Sequence, residues 1–317
     1  MSPRPPTFEA DPLKPCGDRG SNVWPPHRYH QGQWRPAQSA SATGPSSLRV
    51  VTLNTWFAEQ DRAVRLRGQL AALRAARPDV IALQEVTSDL LERMVSAPWF
   101  RSEYAIPALP HLPLASHGYG VFLAVRPAVE CFSWHPLDSV MGRGLLAAQL
   151  PSGTTVGTVH LESTAPFGHA RRRQLAQCTE WMTSADSALL VGDFNFDDTD
   201  PDAPTLAPWV DVWTAQHPTD AGFTVDGVTN PYRRLRGDQR QRIDRVLLRD
   251  PARRWIAMST ARFGTQRLRE GCHMSDHYGL EVELMRRVEI DRLPTALEVP
   301  RLDRLASVGP SGIDGVE

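Results

Sequence analysis

Six short polar groups interrupt an otherwise apolar text. Asn54, Glu85, His160 and the pair Asp193 and Asn195 stand at or near the ends of apolar runs. Asp244 lies inside such a run, and Ser275-Asp276-His277 immediately precedes another. Charged side chains are seldom buried unless they are paired or bound to metal. Taken singly, each has a structural explanation: Asn54 or Asp193 as a turn former, His160 as a satisfied core histidine, Asp244 as a partner for Arg242 or Arg245. Taken together, six such sites at strand ends point to one cleft at the edge of a β-sandwich. The set is rich in oxygen and has no thiolate, which favours Mg²⁺ or Mn²⁺ over zinc. A protonated imidazole beside such an ion can donate to a phosphoryl oxygen as charge builds there, and an aspartate within reach would fix that ring's tautomer and raise its pKa. A further carboxylate could orient or deprotonate water. The chemistry these residues compose is metal-assisted hydrolysis of a phosphate ester.

Other chemistries find no residues to carry them. The sequence holds no G-x-x-x-x-G-K-[ST] phosphate loop, no G-x-S-x-G elbow and no H-E-x-x-H helix. Its four cysteines, at 16, 131, 178 and 272, form no C-x-x-C pair, so neither a disulfide framework nor a cysteine-rich zinc site is expected. Cys272, His273 and His277 are close in sequence and read as a buried thiol beside loop histidines. Thirty-five basic and 36 acidic side chains leave a formal net charge of −1, so a polyanionic partner must be met by a local patch. Lys14 is the only lysine, which makes every other cation a guanidinium able to bind phosphate in two places. Without a membrane-length apolar run or a signal-peptide pattern, a soluble cytoplasmic monomer is expected.

The elements that must position these residues follow from periodicity. The composition, 41% hydrophobic and 22% charged, is that of a globular chain. Residues 1–46, rich in Pro, Ser, Gly and Gln, show no apolar period and read as a disordered leader. Strands are expected at 48–54, 80–86, 120–125, 145–150, 154–161, 188–194, 243–248 and 278–284. Leu66, Leu70 and Leu73 mark a helix that Pro78 ends, and Leu175, Cys178 and Met182 mark another over 169–183. Residues 287–317 read as a tail, which leaves 47–286 as the catalytic domain. Hairpin spacings mixed with helical crossovers predict an α/β (α+β) fold with mixed or antiparallel sheets rather than a doubly wound one.

T-L-N at 52–54, L-Q-E-V at 83–86, H-L-E-S-T at 160–164, G-D-F-N at 192–195, I-D-R at 243–245 and S-D-H at 275–277 resemble the endonuclease/exonuclease/phosphatase (DNase I-like) superfamily in order and coverage. H-L-E-S-T followed by G-H and an Arg-rich helix, M-G-R-G-L-L at 141–146, V-D-V-W at 210–213 and S-D-H-Y-G-L at 275–280 resemble its 5′-tyrosyl-DNA phosphodiesterase branch. The resemblance implies a four-layer α/β sandwich, two packed mixed sheets flanked by helices, around one Mg²⁺-dependent phosphodiesterase site. It further implies that Glu85, helped by Asn54 and Asp276, holds the metal, and that Asp193 and Asn195 position the attacking water. His277, oriented by Asp244, and His160 would stabilise the transition state, and Arg143 would contact a substrate phosphate. DNA ends are the implied partner. The sequence departs from the branch at Val225, where an aromatic residue commonly sits, and Phe223, Trp56 or Trp213 could supply stacking surface instead. Two alternatives stay open: the same chemistry on a phospholipid head group, inositol phosphate or nucleotide, and a catalytically silent binding module.

Overall fold

Runs of Val, Ile, Leu and Ala that are buried on both faces fold here into two stacked sheets. The computed structural model describes residues 22–37, 43–108, 118–151, 153–201, 203–234, 237–269 and 271–290. In chain order these form β1 (Val23–Trp24), β2 (His27–His30), β3 (Gln33–Pro36), β4 (Ser47–Asn54), α1 (Arg62–Ala76), β5 (Val80–Thr87), α2 (Ser88–Ser96), α3 (Pro98–Glu103) and β6 (Tyr119–Val125). There follow β7 (Cys131–Pro136), β8 (Gly144–Gln149), β9 (Thr154–His160), α4 (Gly168–Met182), β10 (Ser187–Asp193), β11 (Val210–Asp211) and α5 (Val212–Gln216). The chain continues with β12 (Val225–Asp226), β13 (Arg240–Gln241), β14 (Asp244–Arg249), β15 (Trp255–Phe263), β16 (Gly279–Arg286) and α6 (Arg287–Ile290).

One sheet has the order β1-β7-β8-β9-β10-β14-β11 and the other β15-β16-β4-β5-β6. Both are mixed: β4 runs parallel to β5 and β9 to β10, across α1 and α4 respectively, and the remaining pairs are antiparallel. The sheets face each other through β4, β5 and β6 against β8, β9 and β10. Val50 and Val282 of one meet Leu146, Val156, Leu189, Val191 and Val246 of the other in a single apolar cluster. On the far side of the larger sheet, α4 buries Leu175, Cys178 and Met182 against Leu145, Val159 and Leu190. Leu66, Leu73, Leu90, Met94 and Phe100 of α1, α2 and α3 bury against the smaller sheet. The result is the expected four-layer sandwich.

Part of the segment expected as leader, residues 23–36, forms strands that belong to the fold. β2 and β3 form a hairpin, and β1 adds to the edge of the larger sheet through Val23 and Trp24 opposite Ser133 and Phe132. His27 and Ile106 exchange two backbone hydrogen bonds of 2.8 and 3.0 Å. Trp34 is 3% exposed, with its ring 6.1 Å from that of Phe100. Isolated aromatic residues and main-chain pairing hold this segment, and neither leaves an apolar period in the sequence. Residues 1–21 and 291–317 lie outside the described residues. β7 and β15 are further strands that periodicity does not reveal.

Candidate active site

Side chains alternate between faces along a strand, so the residues two apart from core-facing ones share their direction. Val50 and Thr52 lead to Asn54, Val156 and Thr158 to His160, Leu189 and Val191 to Asp193, and Val246 leads back to Asp244. The polar residues are thus the last members of the inner faces, where the two sheets part. Register completes the row, since Asp193 pairs with His160 on β9 and with Asp244 on β14. Gly192 allows this row to form. Its φ is 138°, and a Cβ there would stand 2.0 Å from the carbonyl oxygen of Val159.

Glu85 reaches the site by breaking the alternation. A register shift separates Leu83 from Val86, and Glu85 itself has φ 54°. Gln84 reaches across the sheet interface to Thr158 at 2.9 Å, while Glu85 faces Asn54. Sparsely populated backbone of this kind persists where the surroundings enforce it. The Asn54 amide then donates to Glu85 Oε1 at 3.0 Å and to Asp193 Oδ2 at 2.9 Å. Its carbonyl oxygen accepts from Trp56 N at 2.9 Å, so in this conformation Asn54 braces two carboxylates with its NH₂.

His277 gives Nδ1–H to Asp244 Oδ2 at 2.8 Å, and both side chains are buried. Burial disfavours the charged ring, but Asp244, Asp276 and Asp193 outweigh it and push the imidazole up to about 9. Arg233 Nη2 lies 2.6 Å from His277 Nε2, a contact that needs a lone pair on that nitrogen. The two demands oppose each other, and the pull of three carboxylates is the stronger. Asp193 is pushed up to about 7, by burial first and then by the Asp244 charge. His160 is held well below its ordinary value by burial and by Arg143. Arg143 Nη1 donates to His160 Nδ1 at 2.9 Å, which leaves the proton on Nε2, 3.5 Å from Asp193 Oδ2. One histidine is therefore a neutral donor and the other a cation.

All nine expected site residues join this network, eight through their side chains and one through the backbone as well. Asn195, the ninth, closes the turn after β10: its N–H donates to Asp193 Oδ1 at 2.9 Å and its amide to Leu161 O at 3.0 Å. Asp276 pairs with Arg233 at 2.9 Å. The tightest group of possible metal ligands among the described residues is Asp193, Asp244 and His277, whose ligand atoms lie within 4.8 Å of one another. Asp244 Oδ1 is buried without a hydrogen-bond partner. That orphaned oxygen, in a donor set made mostly of carboxylates, fits a hard divalent cation.

Glu162, inside H-L-E-S-T, has a role that its position alone did not reveal. Fully buried, it accepts from Ser139 Oγ, Gln174 Nε2 and the Val140 and Met141 amides at 2.5 to 3.2 Å. It thereby holds the loop that carries Arg143 into a cleft lined by Tyr119, Met141, Gly142 and His160. Among the aromatic candidates, Trp213 is core, with Nε1–H given to Asp220 O, and Val225 is buried. Trp56 packs between the Arg65 guanidinium and the Tyr232 ring. Sequence patterns did not single out Phe57, which is 46% exposed and stacks on Tyr119 with ring centroids 4.6 Å apart.

The sequence profile of the Endonuclease/Exonuclease/phosphatase family matches residues 51–277, and the chain belongs to that family. It is a phosphoric ester hydrolase, the chemistry those activities share. Among solved structures, TDP2 of D. rerio complexed with a single-strand DNA product is 23% identical, covering 76% of this chain and 99% of its own, with a TM-score of 0.67. TDP2 from C. elegans is 20% identical over 75% of each chain, with a TM-score of 0.62. The human Nocturnin catalytic domain with bound sulfate is 17% identical over 76% of this chain and 94% of its own, with a TM-score of 0.56. At these identities the likeness establishes the fold. No curated protein sequence is significantly similar to the chain. Among the described residues no helix is long and apolar enough to cross a membrane.

Proposed function

We propose that this protein is a Mg²⁺- or Mn²⁺-dependent phosphodiesterase that acts on DNA ends, in the manner of a 5′-tyrosyl-DNA phosphodiesterase. The observation that carries the reading is the row His160, Asp193, Asp244 with His277 hydrogen-bonded behind it: a base, a neutral donor and a cation aimed at one space. Asp193, poised near neutrality and braced by Asn54, takes a proton from the attacking water. His277, oriented by Asp244, and His160 donate to the phosphoryl oxygens as they gain charge. Arg143, fixed by Ser163 at 2.9 Å and by the loop on Glu162, holds a substrate phosphate. Glu85, with Asp276 and the free oxygen of Asp244, would hold the cation, and Asn54 would help by holding the Glu85 carboxylate in place with its NH₂. The bound cation supplies Lewis-acid stabilisation of the phosphoryl group.

Two features support nucleic acid over a small head group. Phe57 and Tyr119 offer a flat aromatic surface beside Glu85 and Arg143, suited to a base. A DNA product is also accommodated by the same fold in the zebrafish protein. The test is hydrolysis of 5′-phosphotyrosyl DNA, 3′-blocked DNA, an abasic duplex, sphingomyelin and inositol phosphates, each with Mg²⁺ and with EDTA. Metal-dependent turnover of the 5′ adduct alone is expected. Preference for sphingomyelin or an inositol phosphate would overturn the substrate assignment.

A further inference from the structure

The two histidines of the site each have an arginine on them, but on different nitrogens. At His160 the guanidinium takes Nδ1 and leaves Nε2 facing Asp193. At His277, Asp244 already holds Nδ1, so Arg233 stands on Nε2, the nitrogen a phosphoryl oxygen needs. Arg233 is 14% exposed at its side chain and is drawn in by Nε–H to Asp276 O at 3.2 Å and by Nη2 to Asp276 Oδ2 at 2.9 Å. Among the described residues its Nη1 has no partner. The backbone that delivers it is pinned: Asn230 Nδ2 donates to Ser275 O at 2.9 Å, and Tyr232 OH donates to Asp61 Oδ2 at 3.1 Å. The Arg233 guanidinium thus stands 2.6 Å from the one ring nitrogen of His277 that Asp244 leaves open, so an oxyanion that enters there to meet His277 meets Arg233 as well.

We propose that Arg233 is a second substrate-binding arginine, which shares with His277 the oxygen of the phosphate under attack. The inference rests on the phosphodiesterase reading and extends it. Glu85, Asp193, Asp244 and Asp276 make the floor of the site acidic, and a phosphodiester approaching it needs cations on its flanks. Arg143 supplies one beside His160, and Arg233 supplies the other beside His277.

The probe is a short single-stranded oligonucleotide with a 5′-phosphate, bound in EDTA to the full chain and followed by fluorescence anisotropy from 50 to 200 mM salt. Arg233→Ala is expected to weaken binding about 10- to 100-fold, the effect of losing a charged hydrogen-bond donor. It should also flatten the log–log salt dependence by about 0.7, one phosphate contact on a single strand. Arg234→Ala, which removes the neighbouring exposed charge, should change affinity by less than about threefold. If Arg233→Ala lowers Tm by several degrees, Arg233→Met keeps the aliphatic stem and carries the same expectation. Unchanged binding in these variants, with Arg143→Ala weakened, would refute the role of Arg233 and leave the phosphodiesterase standing. Tighter binding in Arg233→Ala would make Arg233 a competitor of substrate and refute it equally. A wild-type chain that neither binds the oligonucleotide nor hydrolyses any phosphodiester would overturn both readings.

Discussion

Asp244→Asn keeps the shape of the buried pair with His277 and removes its charge. Against the burial that opposes it, Asp244, with Asp276 and Asp193, holds the imidazole near 9 instead of its ordinary 6.5, which corresponds to about 3 kcal/mol in favour of the charged ring, with Asp244 the largest contributor. If that preference is used on the phosphoryl transition state, losing most of it slows the chemical step by about 10²-fold. The amide can also turn its NH₂ toward Nδ1 and trap the wrong tautomer, a defect that in a Ser-His-Asp triad reaches about 10⁴-fold. The variant is therefore expected to turn over about a hundredfold to ten-thousandfold more slowly, with KM changed less than about threefold. The pH profile offers an independent reading, because the Asp244 charge lifts both His277 and Asp193. In the variant the alkaline limb of kcat/KM should move down from about 9, and the acid limb down from about 7. Steady-state hydrolysis of a thymidine 5′-(4-nitrophenyl phosphate) ester across the acid, neutral and alkaline range measures all of these. A variant that altered KM alone, or kept both limbs in place, would show that the pair does not act on the transition state.

In the wild type, kcat/KM should rise with pH through about 7, as Asp193 becomes the anion that can accept a proton, and fall above about 9, as His277 loses its charge; maximal activity well on the acid side of neutrality would contradict these roles. A chain cut to residues 47–286 should be less stable by at least about 3 kcal/mol, the cost of losing a buried aromatic such as Trp34, and its Tm should fall by roughly 6–12 °C in a thermal melt. EDTA should abolish turnover, and Mg²⁺ or Mn²⁺ should restore it better than Ca²⁺, which fits compact octahedral sites poorly; stoichiometric zinc in the purified protein would count against the cation assigned.

The strands around the site were legible because each is an apolar run buried on both faces, and such runs carry their own signal at 48–54, 80–86, 154–161 and 188–194. The site residues were legible for the opposite reason. A carboxylate, an amide or an imidazole at the end of an apolar strand is costly unless function retains it, so Glu85, His160 and Asp193 stood out without a structure. The helix over Gly168–Met182 announced itself through Leu175, Cys178 and Met182 on one face. What the chain could not show in one dimension was every contact made across it. Trp34 folds onto Phe100, and β1 extends a sheet whose other members lie a hundred residues away, so a segment without apolar period is part of the body. Glu162 reads as one more charge after a strand until Ser139, Val140 and Met141 are seen to hang on it. Arg233 reads as one of a run of surface arginines, and only the docking of Asn230 on Ser275 turns it inward. Local sequence sets which residues alternate and which are buried, because those depend on neighbours two to four positions apart. Which arginine turns into the site and which faces water depends on loops placed by distant strands, and that is decided only when the two sheets close.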